Sequence, residues 1–501
     1  MTSFAQRREN AGVSIADLVR DLGENEDQIQ SWESGQVSAP GHVMRVLQYL
    51  ENAIPKKPDL ESQVPLVSNV QEAFGRPTAL QANPNSDSTS GTFVDNMKLP
   101  IHRWFRYSAG FSASWVEATI KERNQPGERL YDPFSGSGTS LIASQASGTP
   151  SFGVESHPFV YRIAAAKLGW NVNVSEFRRR GAALLAAAQG TEQIDIENSV
   201  LLTKCYTPHA LARLRSLSQA HDALEPADPI RELLWLAVTS ILRECSGVGT
   251  AQWQYILPNK TKAKIVDPYL AFAAKIERFA ADIEFRKSLE ARPASASIRM
   301  GDARRSDCLN DHSFEPATLV ITSPPYPNNY DYADATRLEM TFWGEVNGWG
   351  DLQSAVRQYL IRSCSQHSAA EKLNLNNLLN SSEIAPIRNE LREVCERLAE
   401  VREDKGGKKT YHTMIAAYFI DLAKTWNSLK LICAKDASVC FVIGDSAPYG
   451  VYVPVDKWLI ELALAAGFEN PRFEKIRDRN IKWKNRKHTV PLKEGILWLT
   501  A

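Results

Sequence analysis

The chain has 501 residues, 43% of them hydrophobic and 23% charged, which fits a soluble globular protein of two to four domains and excludes a disordered or fibrous one. Lys and Arg number 58 and so do Asp and Glu, so net charge names no partner until it is resolved by region. No apolar run reaches the roughly 18 residues of a membrane span, and the seven scattered cysteines include no CxxC pair, so neither a disulfide framework nor a metal site is expected.

The first elements are short amphipathic helices within residues 1–53. Ser14 suits a helix cap, Gly23 a tight inter-helix turn, and Ile29 and Trp32 lie one helical turn apart. With Arg8-Glu9, Ala11-Gly12-Val13-Ser14, Leu18, Leu22-Gly23, Trp32-Glu33 and Gly35, this unit resembles phage-repressor-type helix-turn-helix domains. The second helix of that motif opens Glu24-Asn25-Glu26-Asp27, and the unit carries four arginines against eight acids. A net charge of −4 is the wrong sign for phosphate neutralisation. Homodimerisation or partner docking is therefore favoured over target binding.

Residues 54–97 are rich in Pro, Ser and Asn without periodicity and read as a linker. From residue 98 to the end, strands alternate with helices, which predicts an α/β fold with a largely parallel sheet. The strand candidates are 129–134, 151–156, 297–303, 318–323, 438–446, 471–478 and 495–500, with a helix beginning near Val455. Two stretches, about 171–296 and 344–410, read as mainly helical insertions. They carry no interpretable motif and are candidates for target recognition.

In LYDPFSGSGTS a short apolar strand ends at Asp132, and Gly136 and Gly138 flank Ser137 before a helix. Glycines here allow positive φ and close approach of a ligand. Glu155 ends the next strand candidate, 23 residues after Asp132, where a carboxylate can accept both hydroxyls of a ribose. The spacing matches neither GxGxxG nor a P-loop. DPFSGSGT resembles the S-adenosylmethionine loop of DNA amino-methyltransferases. The segment 102–120, with Phe111, looks like that family's additional cofactor motif, and GVESHPFVYRIAAAKL looks like its ribose-binding strand and helix. The resemblance spans roughly 99–170, 297–345 and 411–501. It implies a Rossmann-like seven-stranded methyltransferase sheet and a cofactor held by Phe111, Asp132, Phe134, Gly136, Gly138, Thr139 and Glu155. It also implies adenine contacts from Asp302 through its carboxylate and from Ala303 through its N–H.

TSPPYPNNYDYAD then follows the apolar run Thr318–Ile321, and Ser323-Pro324-Pro325-Tyr326 resembles the family's (D/N/S)PPY signature. The exocyclic nitrogen of a base is a poor nucleophile because its lone pair is delocalised into the ring. Acceptors at the Ser323 side chain and the Pro324 carbonyl can receive its two N–H groups and favour a tetrahedral nitrogen. The Pro325 ring stiffens that backbone, and Tyr326 offers a flat face to a base taken out of the stack. No Pro-Cys dipeptide is present, so the covalent carbon-5 route is not expected. Within the family Ser before PPY goes mostly with N4-cytosine, and Asp or Asn mostly with N6-adenine. The hydroxyl alone does not settle the base, since it both donates and accepts.

The tail 471–493 holds nine Lys or Arg against two acids, with Trp483 interleaved. As the loop of a final antiparallel hairpin, it would carry Arg479, Lys482, Lys484, Arg486 and Lys487 along a double-stranded DNA backbone. The resemblance thus implies a DNA amino-methyltransferase acting on the N4 amine of cytosine, with N6 of adenine as the alternative, in a bacterial or phage restriction–modification or related defence system. It would be cytoplasmic, nucleoid-associated and free of membrane, with a cognate endonuclease or defence protein as possible partner. The rivals are an RNA methyltransferase and a helix-turn-helix regulator whose methyltransferase-like body performs no chemistry.

Overall fold

The computed structural model describes residues 3–10, 14–15, 25–40, 43–44, 47, 93–107, 110–123, 125–191, 199–251, 254–262, 265–289, 293–305, 315–367, 373–406, 409–479 and 490–501. Among them are nine strands: β1 (Leu130–Asp132), β2 (Ser151–Glu155), β3 (Val248–Thr250), β4 (Ile256–Thr261), β5 (Ala296–Met300), β6 (Ala317–Thr322), β7 (Cys433–Gly444), β8 (Glu469–Arg479) and β9 (Leu492–Thr500). Among the described residues, no helix is long and apolar enough to cross a membrane.

The chain divides into two compact units. One contains the described residues of Met1–Ser88 with Gly169–Leu289 and Thr341–Gly344. The other contains Thr89–Leu168, Glu290–Met340 and Glu345–Ala501. The first helical insertion thus belongs with the former, whereas nearly all of the second belongs with the latter.

The second unit is built on a seven-stranded sheet in the order β5-β2-β1-β6-β7-β9-β8. All seven strands lie at the segments expected from sequence. The first five are mutually parallel, and β9 runs antiparallel between β7 and β8. This is the Rossmann-like methyltransferase arrangement. Central strands read as unbroken apolar runs because both faces are covered. Leu130, Leu319, Ile321, Cys440 and Val442 pack on Ala113, Val116, Ile120 and Leu141. Their alternates Tyr131, Val320, Val439, Phe441 and Ile443 pack on helices Tyr411–Ile432 and Val455–Ala465. Trp426 stacks on Phe441 at 4.2 Å, and truncating such a buried indole to Ala costs about 3–5 kcal/mol.

Boundaries differ from the sequence reading in three places. β7 begins at Cys433, earlier than expected, because Asp436 at φ 61° makes a bulge that the apolar pattern does not signal. The first insertion contains the antiparallel pair β3–β4 besides its helices. Phe93–Lys98 forms a 3₁₀ turn in which buried Asn96 donates to Phe111 O and accepts from Ala113 N, both at 2.9 Å. That turn belongs to the sheet unit although it falls in the expected linker.

In the first unit, Phe177 on helix Val174–Gln189 stacks on Phe279 of helix Pro268–Ser288 at 6.3 Å. Arg178 bridges Glu277 and Glu284 alongside. At the N-terminus, helices Phe4–Asn10 and Glu26–Glu33 are joined by Phe4 against Trp32 at 5.6 Å and by an Arg8–Glu33 ion pair at 2.5 Å. Ile29 and Trp32 are both buried, as their spacing requires. Asn25 caps the second of these helices. Glu26 and Asp27 occupy its first turn, where the helix dipole favours acids. Gly23 and the expected inter-helix turn lie outside the described residues.

Candidate active site

Strand order places the site. From β1 the chain moves outward through β2 to β5, then crosses to the other side of β1 at β6. Ligands in open α/β sheets bind at the carboxyl ends of the strands flanking such a switch point. Those ends carry Asp132 and the Gly-rich turn on β1, and Ser323-Pro324-Pro325-Tyr326 on β6.

The Gly-rich turn is left-handed at Gly136 (φ 51°) and Gly138 (φ 84°). A Cβ on Gly138 would stand 3.3 Å from Ala164 Cβ, and one on Gly153 would stand 2.1 Å from Ser135 Oγ. The sequence therefore supplies glycine both in the turn and on the strand beneath it. Thr139 begins the following helix and is buried.

Asp132 is 1% exposed. Its carboxylate accepts from Phe134 N at 3.0 Å, from the Ser140 hydroxyl, and from Thr322 Oγ1 at 2.5 Å. It thereby ties the Gly-rich turn to the residue before Ser323. Burial raises it to about 6 against these hydrogen bonds. Glu155 accepts from Gly136 N and His157 N, both at 2.8 Å. The Ser156 backbone is a further hydrogen-bond donor to this carboxylate, so of about four acceptor positions not all are taken by the protein. Burial, with Asp132 nearby, raises Glu155 to about 7.

At β5, Gly301 N donates to Glu155 O at 3.1 Å, which brings the Asp302-Ala303 turn beside Glu155. Asp302 is gripped by Arg304: the backbone N, Nε and Nη2 make contacts of 2.7–3.0 Å to its two oxygens. An adenine amine would have to share this fork. Ala303 is buried. Arg304 also reaches Asp421 at 3.3 Å, and Arg362 pairs with Asp421 at 2.7 Å. Phe111 is buried edge-to-face on Trp115, and Phe134 is half-buried against the core.

The β6–β7 ladder closes at Thr322↔Phe441, so Pro324 and Pro325 lie beyond it and forfeit no sheet hydrogen bond. Ser323 Oγ donates to Val442 O at 3.1 Å. The Ser323 hydroxyl also hydrogen-bonds the Tyr326 phenol, which links the two side chains of the signature. Tyr326 Oη donates to Glu494 Oε1 at 3.3 Å, and the Arg479 guanidinium lies 5.2 Å from the Tyr326 ring centre. Burial and Glu494 keep the Tyr326 phenol neutral. A Cβ on Gly444 would sit 3.0 Å from this ring and 2.7 Å from Arg479.

The chain beyond the signature is clamped to 357–367. Asn329, at φ 64°, accepts from Ser365 N and Oγ, and Asp331 pairs with Arg357 at 2.6 Å and His367 at 3.4 Å. Tyr330 and Tyr332 meet edge-to-face at 4.5 Å. Tyr107 and Tyr332 are buried, and each feels Glu155.

Arg479, expected at DNA, ends β8. Its Nη1 donates to Asp445 O at 2.9 Å, and its Nε lies 4.0 Å from Glu494. The hairpin is antiparallel as expected, with Arg479 opposite Leu492. Glu494 pairs with Gly444 of β7, so the end of β8 and the start of β9 lie beside the carboxyl end of β7. Lys482, Lys484, Arg486, Lys487 and Trp483 lie outside the described residues. Sequence reasoning missed Arg304, Asp421, Arg362, Asp331, Arg357 and Glu494. Arg304 meets Asp302 locally, two residues away, whereas the others meet partners that tertiary packing brings together.

Comparison with known proteins gives three matches of one kind. The type II methyltransferase M.BsoBI of Geobacillus stearothermophilus is 23% identical over 424 residues, 77% of this chain and 82% of that protein. The type II methyltransferases M.AvaI of Nostoc sp. and of Anabaena variabilis are 25% identical over 402 residues, 75% of this chain and 81% of theirs. No family model and no solved structure matches the chain. The chain is similar to type II methyltransferases over three quarters of its length, and this likeness supports placing it among the methyltransferases.

Proposed function

We propose that the protein is an S-adenosylmethionine-dependent DNA methyltransferase that modifies the N4 amine of cytosine within a restriction–modification system. The observation that carries this reading is the Asp132 carboxylate, which joins the Gly-rich turn to the strand end bearing Ser323. One buried group thus links the turn we assign to the cofactor with the strand end we assign to the amine.

The residues present fit the cofactor. The left-handed Gly136-Ser137-Gly138 turn allows close backbone approach, and Glu155 retains acceptor capacity at the end of β2. Bound there, S-adenosylmethionine supplies an electrophilic methyl group. Ser323 Oγ, held by Val442 O and the Tyr326 phenol, accepts one N–H of the target amine, and the Pro324 carbonyl accepts the other. The nitrogen lone pair is then directed out of the ring plane toward the cofactor side. Tyr326, fixed by Glu494 and Arg479, supplies the flat wall for the extruded base. The type II methyltransferase names of the relatives support DNA methylation in restriction–modification, and a cognate restriction endonuclease is the partner we propose. Cytosine is favoured over adenine by the serine at position 323.

Transfer of radiolabelled methyl to duplex DNA, with mass spectrometry of the resulting nucleosides, tests this reading. The expected product is N4-methylcytosine, and the double variant Ser323→Ala, Tyr326→Ala should transfer none. Product in tRNA or rRNA alone, or none with any nucleic acid, refutes it.

A further inference from the structure

Helix Pro158–Leu168 follows the ribose-site strand β2 and carries Lys167 near its end. Lys167 is 1% exposed. Among the described residues its Nζ has one hydrogen-bond partner, the His102 carbonyl at 3.2 Å, and no carboxylate. A buried ammonium has three donors, and without a counter-anion it pays the full desolvation penalty. Burial alone lowers Lys167 to about 7, with no acid to offset it. A position needing only packing would be served by leucine or methionine.

The surroundings say what the ammonium faces. Lys167 lines a small cavity with Asn96, His102, Tyr107, Ser137 and Thr139. Ser137 and Thr139 belong to the Gly-rich turn, and Asn96 is already committed to Phe111 and Ala113. The cavity holds about 10 Å³, room for one water-sized oxygen and not for a whole ligand. It therefore takes the tip of a molecule lying along the turn. That tip must be an acceptor, and next to an uncompensated cation it is best an anion.

We infer that Lys167 receives a carboxylate oxygen of the cofactor's methionine end. This inference rests on the cofactor proposed above and adds a binding residue outside its sequence motifs.

Calorimetric titration of the full chain with S-adenosylhomocysteine and with its decarboxylated analogue tests it, using wild type, Lys167→Met and Lys167→Gln. Each protein is read by the ratio of its two affinities, so a loss common to both ligands drops out. Wild type should favour the carboxylated ligand by about tenfold to a hundredfold, the range of a charge-assisted hydrogen bond. At least one of the two variants should fold and lose that preference to within about threefold. A folded variant that keeps the wild-type preference overturns the inference, as does a wild type with none. Failure of wild type to bind either ligand overturns the cofactor reading itself.

Discussion

Glu494 and Tyr326 meet across 3.3 Å, a carboxylate of the last strand holding the phenol of the PPY turn. Glu494 also pairs with Arg477 at 2.7 Å, and Arg479 covers the tyrosine ring. Strands β8 and β9 therefore position the residue proposed to face the base. Glu494→Ala removes the carboxylate that accepts from Arg477 and the Tyr326 phenol, while Arg479 keeps Asp445 O. Methyl transfer should fall about tenfold or more, while Glu494→Gln, which still accepts from Tyr326, should lose less. Single-turnover rates on duplex DNA check the order. Equal losses in the two variants would argue against positioning through the phenol.

With Glu155 on the ribose of the proposed cofactor, its raised carboxyl should make that binding sensitive to pH. Ribose hydroxyls donate best to the carboxylate, so affinity should weaken as pH falls below about 7. Stability runs in the opposite direction. A carboxyl raised from 4.5 to about 7 in the fold contributes stability below 4.5, and loses it as pH rises through 7. The contribution is about 3 kcal/mol, and Asp132, raised to about 6, adds in the same sense. Glu155→Gln should flatten both trends, as checked by titrating cofactor and denaturant at a series of pH values. An unchanged profile would remove Glu155 from the ribose site.

Asp421 is 2% exposed and holds Arg304 and Arg362, and Arg304 in turn grips Asp302. Asp421→Ala removes a buried acid shared by two guanidinium groups and should cost about 1–3 kcal/mol. Denaturant midpoints measure the loss. Weaker cofactor binding in the surviving folded protein would tie the network to the Asp302 turn, whereas unaltered binding would make it purely structural.

Alanine at Lys482, Lys484, Arg486 and Lys487 should weaken binding to all duplex sequences alike. The slope of log affinity against log salt should flatten by roughly 0.9 for each phosphate contact removed. Filter binding over a salt series measures this. An unchanged slope would mean that this turn does not track the backbone.

The seven sheet strands were legible because buried parallel strands are apolar runs with little ambiguity, as in Thr318–Ile321 and Val439–Ile443. The Gly-rich turn and SPPY were legible as strand-end turns because glycine and proline constrain the backbone locally. What surrounds them was not. Asp302 reads as an available acceptor until Arg304 closes on it, and Arg304 draws on Asp421 and Arg362, which only the folded core brings near. Asp132 reads as a cofactor ligand, yet its contacts go to Phe134, Ser140 and Thr322. Lys167 sits in a helix that scans as ordinary and amphipathic, and its burial is a tertiary fact.

The first insertion leaves the chain after β2 and rejoins it at β5, and those two strands are neighbours in register from Ser151↔Ala296 to Glu155↔Met300. Its own ends are fastened together, Lys287 Nζ to Val172 O at 2.6 Å and Arg286 over Trp170. If those fastenings form first, the outermost strand docks by closing a short effective loop instead of one the length of the insertion. The entropy saved is on the order of 2 kcal/mol. On that basis we expect Lys287→Ala to slow the refolding phase that completes the sheet more than it lowers equilibrium stability. Stopped-flow refolding measures this, and an effect confined to unfolding would place the fastening after the rate-limiting step.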